Sequence, residues 1–235
     1  MAGSSSFSYV VTPNVDHLVQ LHRRRSDAEL WLSYRSADVC LCDSRILQTL
    51  AKSSGIELQL VPGSDLTASL LKQAPERQQT VAVVGGDAEM FASLEGLFPD
   101  RTWHHHIPPM GVRSNPAAQE GIIEFVEATA ADATFFAIGA PQSELLCHRI
   151  GERGRARGVA LCIGASLEFL TGEKKRAPVW MQRLKLEWLF RLLAEPRRLG
   201  RRYLVEGPNI FRIWYHWRQR SRYSDVYGSS RLGER

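Results

Sequence analysis

Residues 80–97 read Thr80-Val-Ala-Val-Val-Gly-Gly-Asp87, then Ala88-Glu-Met-Phe-Ala-Ser-Leu-Glu-Gly-Leu97. Thr80–Val84 is short and β-branched and does not alternate with polar residues, as suits a strand covered on both faces. Two glycines and an aspartate end it, and an amphipathic segment follows. The unit is strand, glycine turn, helix.

The same unit recurs along the chain. Further strands are predicted over Asp38–Cys42, Glu57–Val61, Thr134–Ile138 and Val159–Ile163. Helices are predicted over Val15–Arg24, Arg45–Ser53, Leu66–Gln73, Ala88–Leu97, Ala117–Thr129 and Glu144–Arg155. Strand–helix alternation at this spacing predicts an α/β fold, a Rossmann-like sandwich on a mainly parallel sheet. Ile138 runs into Gly139-Ala140-Pro141 and Ile163 into Gly164-Ala165-Ser166, as Val84 runs into Gly85-Gly86-Asp87. Ligands of such folds gather at the carboxyl ends of strands, where small residues let backbone N–H groups approach phosphate. A glycine after a strand is also an ordinary structural turn, so a nucleotide site and a plain turn both stand at this point.

The chain has 235 residues, 44% of them hydrophobic, enough for one large domain or a domain with an appendage. No run of about 18 apolar residues is present, so no spanning helix is predicted. The opening MAGSSSFSYVVTPN has no basic stretch leading into an apolar run, and a cytoplasmic location is expected. The net charge of +5 is unevenly placed. Residues 173–235 hold sixteen Lys and Arg against six Asp and Glu, a net +10; residues 1–172 hold fourteen against nineteen, a net −5. A block so basic points to a polyanionic partner: phosphate groups, anionic lipid or nucleic acid.

Texture divides the chain into an α/β domain over 1–172, a basic aromatic helical appendage over 173–222, and a disordered tail over 223–235. In the appendage, helices are predicted over Trp180–Ala194, from Pro196, and over Asn209–Arg220. Arg197 and Arg201, and Arg198 and Arg202, are spaced to form two adjacent basic ridges. Ile210, Phe211, Ile213, Trp214 and Trp217 follow helical spacing, with Arg212, Arg218 and Arg220 off the stripe. An aromatic face beside a basic one suits the headgroup layer of an anionic bilayer, with Phe211, Trp214 and Trp217 as contacts. An ordinary packed helix with a solvated basic face is the alternative.

Among carboxylates, Asp43 directly follows the predicted strand Asp38–Cys42. It can serve as a base at that strand's carboxyl end or as the N-cap of the next helix. Glu144 and Asp16 are further candidates, Glu144 also reading as a first-turn helix acid. His104, His105 and His106 lie in an extended segment whose alternation lets at most two share a side, so substrate contact or surface placement is expected rather than a metal. Cys40, Cys42, Cys147 and Cys162 form no CxxC pair and are expected to be buried free thiols.

Gly164–Leu204 carries the most specific pattern. It is a glycine-rich turn, then Gly172, Arg176-Ala177-Pro178, Trp180, Glu187-Trp188, Arg191, Glu195-Pro196, Arg198 and Arg202-Tyr203. With Thr12 and Asn14 upstream, and the VVGG, GSDL and GAPQSE segments, this resembles the WecG/TagA/CpsF family of glycosyltransferases over nearly the whole chain. The resemblance implies transfer of a sugar, of glucose or N-acetylhexosamine type, from a UDP-sugar to an undecaprenyl-diphosphate-linked sugar, with inversion, in surface polysaccharide synthesis. It implies Asp43 as the base, with Ser44 where the family has glycine. It places Thr12, Asn14, Gly85, Gly86, Gly139, Pro141, Glu144, Gly164, Arg176, Glu187, Arg191, Arg198 and Arg202 at the substrates, the C-terminal arginines on diphosphate. Leu60 stands where the family often has Arg, and Ser143 where it often has Gln. HHHIPPMG, residues 104–111, resembles the glucosyltransferase members of exopolysaccharide synthesis.

The expected setting is the cytoplasmic face of the bacterial inner membrane, held peripherally, with homo-oligomerisation left open. No Asp-x-Asp motif is present, so no metal or other cofactor is expected beyond the UDP-sugar substrate. Two rivals have less behind them. A Rossmann oxidoreductase lacks GxGxxG with an acid about 20 residues on. A nucleic-acid binder lacks a known reader module, its basic residues being threaded through an ordered Trp and Pro pattern.

Overall fold

The computed structural model describes residues 6–73, 77–184 and 186–228. Contacts divide the chain into two units. The first comprises Met1–Pro13, Arg25–Asp43 and Leu60–Arg176; the second comprises Asn14–Arg24, Ser44–Gln59 and Ala177–Arg235.

The first unit is built on six strands: β1 (Ser8–Val11), β2 (Val39–Cys40), β3 (Gln79–Val84), β4 (Arg101–His106), β5 (Ala133–Phe136) and β6 (Val159–Cys162). Their order is β2-β1-β6-β5-β3-β4, and every pairing between them is parallel. The doubly wound sandwich is therefore present, fully rather than mainly parallel. Side-chain alternation sorts the strands between two cores. Tyr9, Val11, Val84, Phe136, Ala160 and Cys162 pack on one face; Val81, Val83, Phe135, Leu161 and Ile163 pack on the other.

Helices fill both faces. The chain order of helices is α1 (Val15–Arg23), α2 (Ala28–Arg35), α3 (Arg45–Lys52), α4 (Gly63–Lys72), α5 (Ala88–Leu97), α6 (Pro116–Thr129), α7 (Gln142–Arg153), α8 (Ser166–Leu170), α9 (Val179–Arg183), α10 (Glu187–Ala194), α11 (Pro196–Gly200) and α12 (Asn209–Gly228). In the first unit, α6 and α7 cover the first face through Ile122, Ile123, Val126, Leu146 and Ile150. Leu71 of α4, Met90 and Leu94 of α5 and Leu167 of α8 cover the second. Each fully buried Leu, Ile or Phe contributes about 1.5–3 kcal/mol of transfer free energy, so these two layers are the main source of stability.

Several predicted elements change. The strand over Glu57–Val61 reduces to one parallel bridge, Cys42 to Leu60. Two strands were not predicted: β1, four residues long, and β4, whose Arg101-Thr-Trp-His-His-His106 is too polar for an apolar run because it lies at the sheet edge. Helix α2 was also missed. The predicted helix Trp180–Ala194 is two helices, α9 and α10. The predicted tail began at Tyr223, but α12 continues to Gly228; residues 229–235 lie outside those described.

Only two of the four cysteines fit the expectation of burial. Cys40 is exposed on edge strand β2 and Cys42 is half-buried, whereas Cys147 and Cys162 are buried with their sulfurs 3.6 Å apart. Burial, and then the neighbouring Cys147, pushes the Cys162 thiol well above its ordinary pKa, which keeps it inert.

The second unit is helical. Asn14 caps α1 through its side chain and Ser44 caps α3. Helix α12 packs on α1, and the Trp214 indole N–H donates to Leu50 O at 3.1 Å and Ser54 Oγ at 2.8 Å at the end of α3. Between α11 and α12, Arg201–Glu206 winds as a π-helical turn, closed by Gly207 N–H donating to Arg202 O at 2.8 Å. Among the described residues no helix is long and apolar enough to cross a membrane.

Candidate active site

All six strands run the same way, so their carboxyl ends share one edge of the first unit. The chain passes from β3 to β4 on one side and then to β5 on the other, so strand order reverses between β3 and β5. Helix α5, after β3, and helix α7, after β5, lie on opposite faces. A crevice opens at such a switch point, where ligands of doubly wound folds bind.

Both sides of the crevice are glycine turns. Gly85 has φ +96°, and a Cβ there would lie 2.7 Å from Ile138 Cγ2 and 3.0 Å from the Ala137 carbonyl carbon. The β3 and β5 turns therefore touch backbone to side chain, which only glycine allows. A Cβ at Gly86 would collide with the Met90 methyl. Asp87 then caps α5, its Oδ1 accepting from Met90 N–H at 2.8 Å. Gly85→Ala is expected to lower the unfolding free energy by about 3 kcal/mol, from left-handed strain and steric conflict together. Urea unfolding followed by circular dichroism checks it.

Across the crevice, Gly139-Ala140-Pro141 carries a cis Ala140–Pro141 bond and leads into α7, which starts without a side-chain cap. A Cβ at Gly139, or at Gly164 after β6, would meet nothing within 4 Å, so open space stands above both. Glu144 lies in the first turn of α7, only 2% exposed, where the helix dipole favours a carboxylate. Ser143 is equally buried, its Oγ donating to Gly139 O at 3.1 Å. It thus serves the turn itself.

The β1 and β2 ends hold the reactive candidate. Pairing continues past β2, with Leu41 N–H donating to Val11 O at 2.9 Å and Asp43 N–H to Pro13 O at 3.0 Å. Ser44, not Asp43, caps α3, its Oγ accepting from Leu47 N–H at 3.3 Å. The competing role for Asp43 is thereby taken by its neighbour. The Asp43 carboxylate instead accepts at Oδ1 from Gly63 N–H, the first residue of α4, at 3.2 Å. Thr12 is buried at the end of β1, its hydroxyl donating to Cys162 O at 3.0 Å. Ser166, buried beside it, donates to Ile163 O at 2.7 Å. Leu60 pairs with Cys42 one residue before Asp43.

Arg176 forms an ion pair with Asp65 of α4, and its Nε is buried without a hydrogen-bond partner. The Arg-Ala-Pro and Gly-Ser-Asp-Leu motifs are thus joined in space. Gly63, Asp65 and Ser166 were not singled out from sequence, although their motifs were; each matters through a contact 20 or more positions away or with a neighbour's backbone.

In the second unit the remaining motif residues gather among themselves. Asn14 is the cap of α1. Arg202 reaches Asp16 of α1 at 3.1 Å, and Asp16, 11% exposed, also accepts from Gln20 Nε2 at 2.6 Å. Arg202 Nε is buried without a hydrogen-bond partner. The Arg202 guanidinium stands 6.0 Å from the Tyr203 ring, and Tyr203 meets Trp188 edge-on at 6.5 Å. Arg198 pairs with Glu195 on the surface. Glu187 and Arg191 lie half-buried on α10. Phe211, Tyr215 and Trp217 are exposed on α12, Phe211 and Tyr215 one turn apart on one face, whereas the Trp214 indole turns to α3.

The three histidines lie on β4. His105 stacks on Phe91 at 4.3 Å with Nε2 2.9 Å from Gly85 O, which braces the glycine turn. His106 stacks on Phe125 at 5.2 Å, and burial, then the neighbouring His105, holds its pKa below the ordinary value. Among the described residues no three His, Cys, Asp or Glu side chains group as a metal ion would need. Compared with known protein families, residues 1–224 match the description "Glycosyl transferase WecG/TagA/CpsF family".

Proposed function

The chain belongs to the WecG/TagA/CpsF family of glycosyl transferases and so transfers a glycosyl group; we propose that its donor is a UDP-sugar and its acceptor a lipid-diphosphate-linked sugar. One observation carries the mechanism. Asp43, released from capping α3, presents a carboxylate at the same sheet edge as the switch-point crevice. Asp43 takes the proton from the acceptor hydroxyl, whose oxygen bonds to the anomeric carbon as the bond to UDP breaks on the opposite face. That displacement inverts the anomeric centre.

The scale of the sheet suits such a donor. Strands β2 and β3 are four steps apart, roughly 19 Å at about 4.8 Å per step. A base, a diphosphate and a sugar in line cover much of that span, with the nucleotide at the glycine turns. The orphan Nε of Arg176 is a buried donor that a phosphate oxygen satisfies. We assign the acceptor diphosphate to Arg202, Arg191 and Arg198, of which Arg202, like Arg176, has a buried Nε without a hydrogen-bond partner. With guanidinium groups carrying the phosphate charge and no Asp-x-Asp motif in the chain, no resident metal is assigned. The transferred sugar is of glucose or N-acetylhexosamine type. We place the enzyme at the cytoplasmic face of the inner membrane, where such an acceptor is presented, held by the basic charge of residues 173–235 and the exposed aromatics Trp180, Phe211, Tyr215 and Trp217.

A panel of UDP-sugars offered with a short-chain lipid-diphosphate-sugar is the test. UDP release that requires both partners is expected for one donor. Silence across UDP donors, with release from another nucleotide-sugar, overturns the donor assignment.

A further inference from the structure

We propose that the first turn of α4, acting through the Gly63 backbone N–H, is the positioning element for the Asp43 carboxylate, and that residue 63 is glycine because Thr12 and Ser166 occupy the space a Cβ would need. The inference rests on the assignment of Asp43 as base and adds what holds it.

Three strand ends converge on this point. Asp43 N–H is fixed by Pro13 O at 3.0 Å, and the adjacent Cys42 O accepts from Val61 N–H at 3.0 Å. The backbone is therefore clamped between β1 and the 60–63 segment. The side chain is clamped separately, by Gly63 N–H on Oδ1 at 3.2 Å. A carboxylate fixed at one oxygen keeps its plane, so the attacking hydroxyl meets one geometry rather than an ensemble. An N–H of a helical first turn has no partner within its own helix, so it donates here without loss to α4.

The reason for glycine is steric. A Cβ on residue 63 would lie 3.2 Å from Thr12 Oγ1 and 3.2 Å from Ser166 Oγ. Neither hydroxyl is a loose end: Thr12 is held on Cys162 O and Ser166 on Ile163 O, and both residues are buried. The first turn of α4 must then retreat by a few tenths of an ångström, carrying its N–H from Asp43. Alanine is also the better helix former, so the substitution favours α4 itself while it displaces the donor. Activity and stability should thus move in opposite directions or independently, which a merely structural glycine would not give.

The test uses the full chain and compares Gly63→Ala, Gly63→Ala with Ser166→Ala, and Asp43→Asn. For Gly63→Ala, kcat is expected to fall about tenfold, with KM for both substrates within threefold and the thermal midpoint unchanged or raised. Removing the Ser166 hydroxyl in the same chain gives the Cβ room and should recover part of the lost kcat. Gly63→Ala with unchanged kcat, while Asp43→Asn is inactive, overturns the positioning role and leaves Asp43 as base. A loss that follows a drop in thermal midpoint, or that the Ser166 change does not relieve, also overturns it. An active Asp43→Asn removes the base assignment itself, whatever Gly63→Ala does.

Discussion

Asp43→Asn should lower sugar transfer by about a thousandfold, within the range that a positioned general base contributes. The amide is nearly the same shape as the carboxylate, and its oxygen can still accept from Gly63 N–H, so the local geometry has little reason to change. The Asp43 N–H to Pro13 O bond is untouched by the substitution. What disappears is the ability to take a proton. Far-ultraviolet circular dichroism and the thermal midpoint should match the unsubstituted chain, and UDP-sugar affinity should be kept, because the nucleotide is assigned to the glycine turns. Wild-type turnover by this variant would remove Asp43 from the chemistry. An equal loss in Ser44→Gly, which deletes the cap of α3, would show instead that the segment matters only structurally.

The two readings of Asp43 illustrate what a sequence holds and what it does not. Asp43-Ser44 before a helix offers two residues that can each act as N-cap. Only the backbone path decides between them, and that path is set by pairing to Pro13 and Val61, residues 30 and 18 positions away. By contrast, strands such as Thr80–Val84 and Val159–Ile163 were legible because burial on both faces demands continuous apolar runs. The edge strand β4 escaped for the converse reason: it pairs on one side only, and five of its six residues are polar or charged. The grouping of Asn14–Arg24 and Ser44–Gln59 with residues 177–235 has no local signal, since it depends on contacts such as Arg202 to Asp16 and Trp214 to Leu50. The helical spacing of α12 was read correctly, but spacing alone does not say which aromatic faces a neighbour. A single indole N–H, satisfied at the end of α3, separates Trp214 from Phe211 and Trp217.

That separation carries the second large prediction. Phe211, Tyr215 and Trp217 are 52%, 54% and 44% exposed. Burying the exposed half of each in a headgroup layer is worth roughly 1 kcal/mol, from about 1.5–3 kcal/mol for a whole side chain. Phe211 and Tyr215, four residues apart on one face, enter such a layer together and supply about 2 kcal/mol, or on the order of 30-fold in partitioning, whereas Trp217 lies around the helix from them. Replacing Phe211 and Tyr215 by serine should therefore reduce co-sedimentation with anionic phospholipid vesicles by that factor at fixed salt. The basic residues remain in that variant, so its residual binding should weaken steeply as salt rises. Trp214→Phe should behave oppositely. It strips the donor from Leu50 O and Ser54 Oγ and costs about 1 kcal/mol of stability, with vesicle binding unchanged. If the serine variant binds vesicles as the parent does, aromatic insertion has no part in attachment, and the arginines alone hold the protein to the lipid. If Trp214→Phe loses as much binding as the double change, α12 must turn its inner face outward at the membrane, and the contact with α3 is then one that attachment breaks.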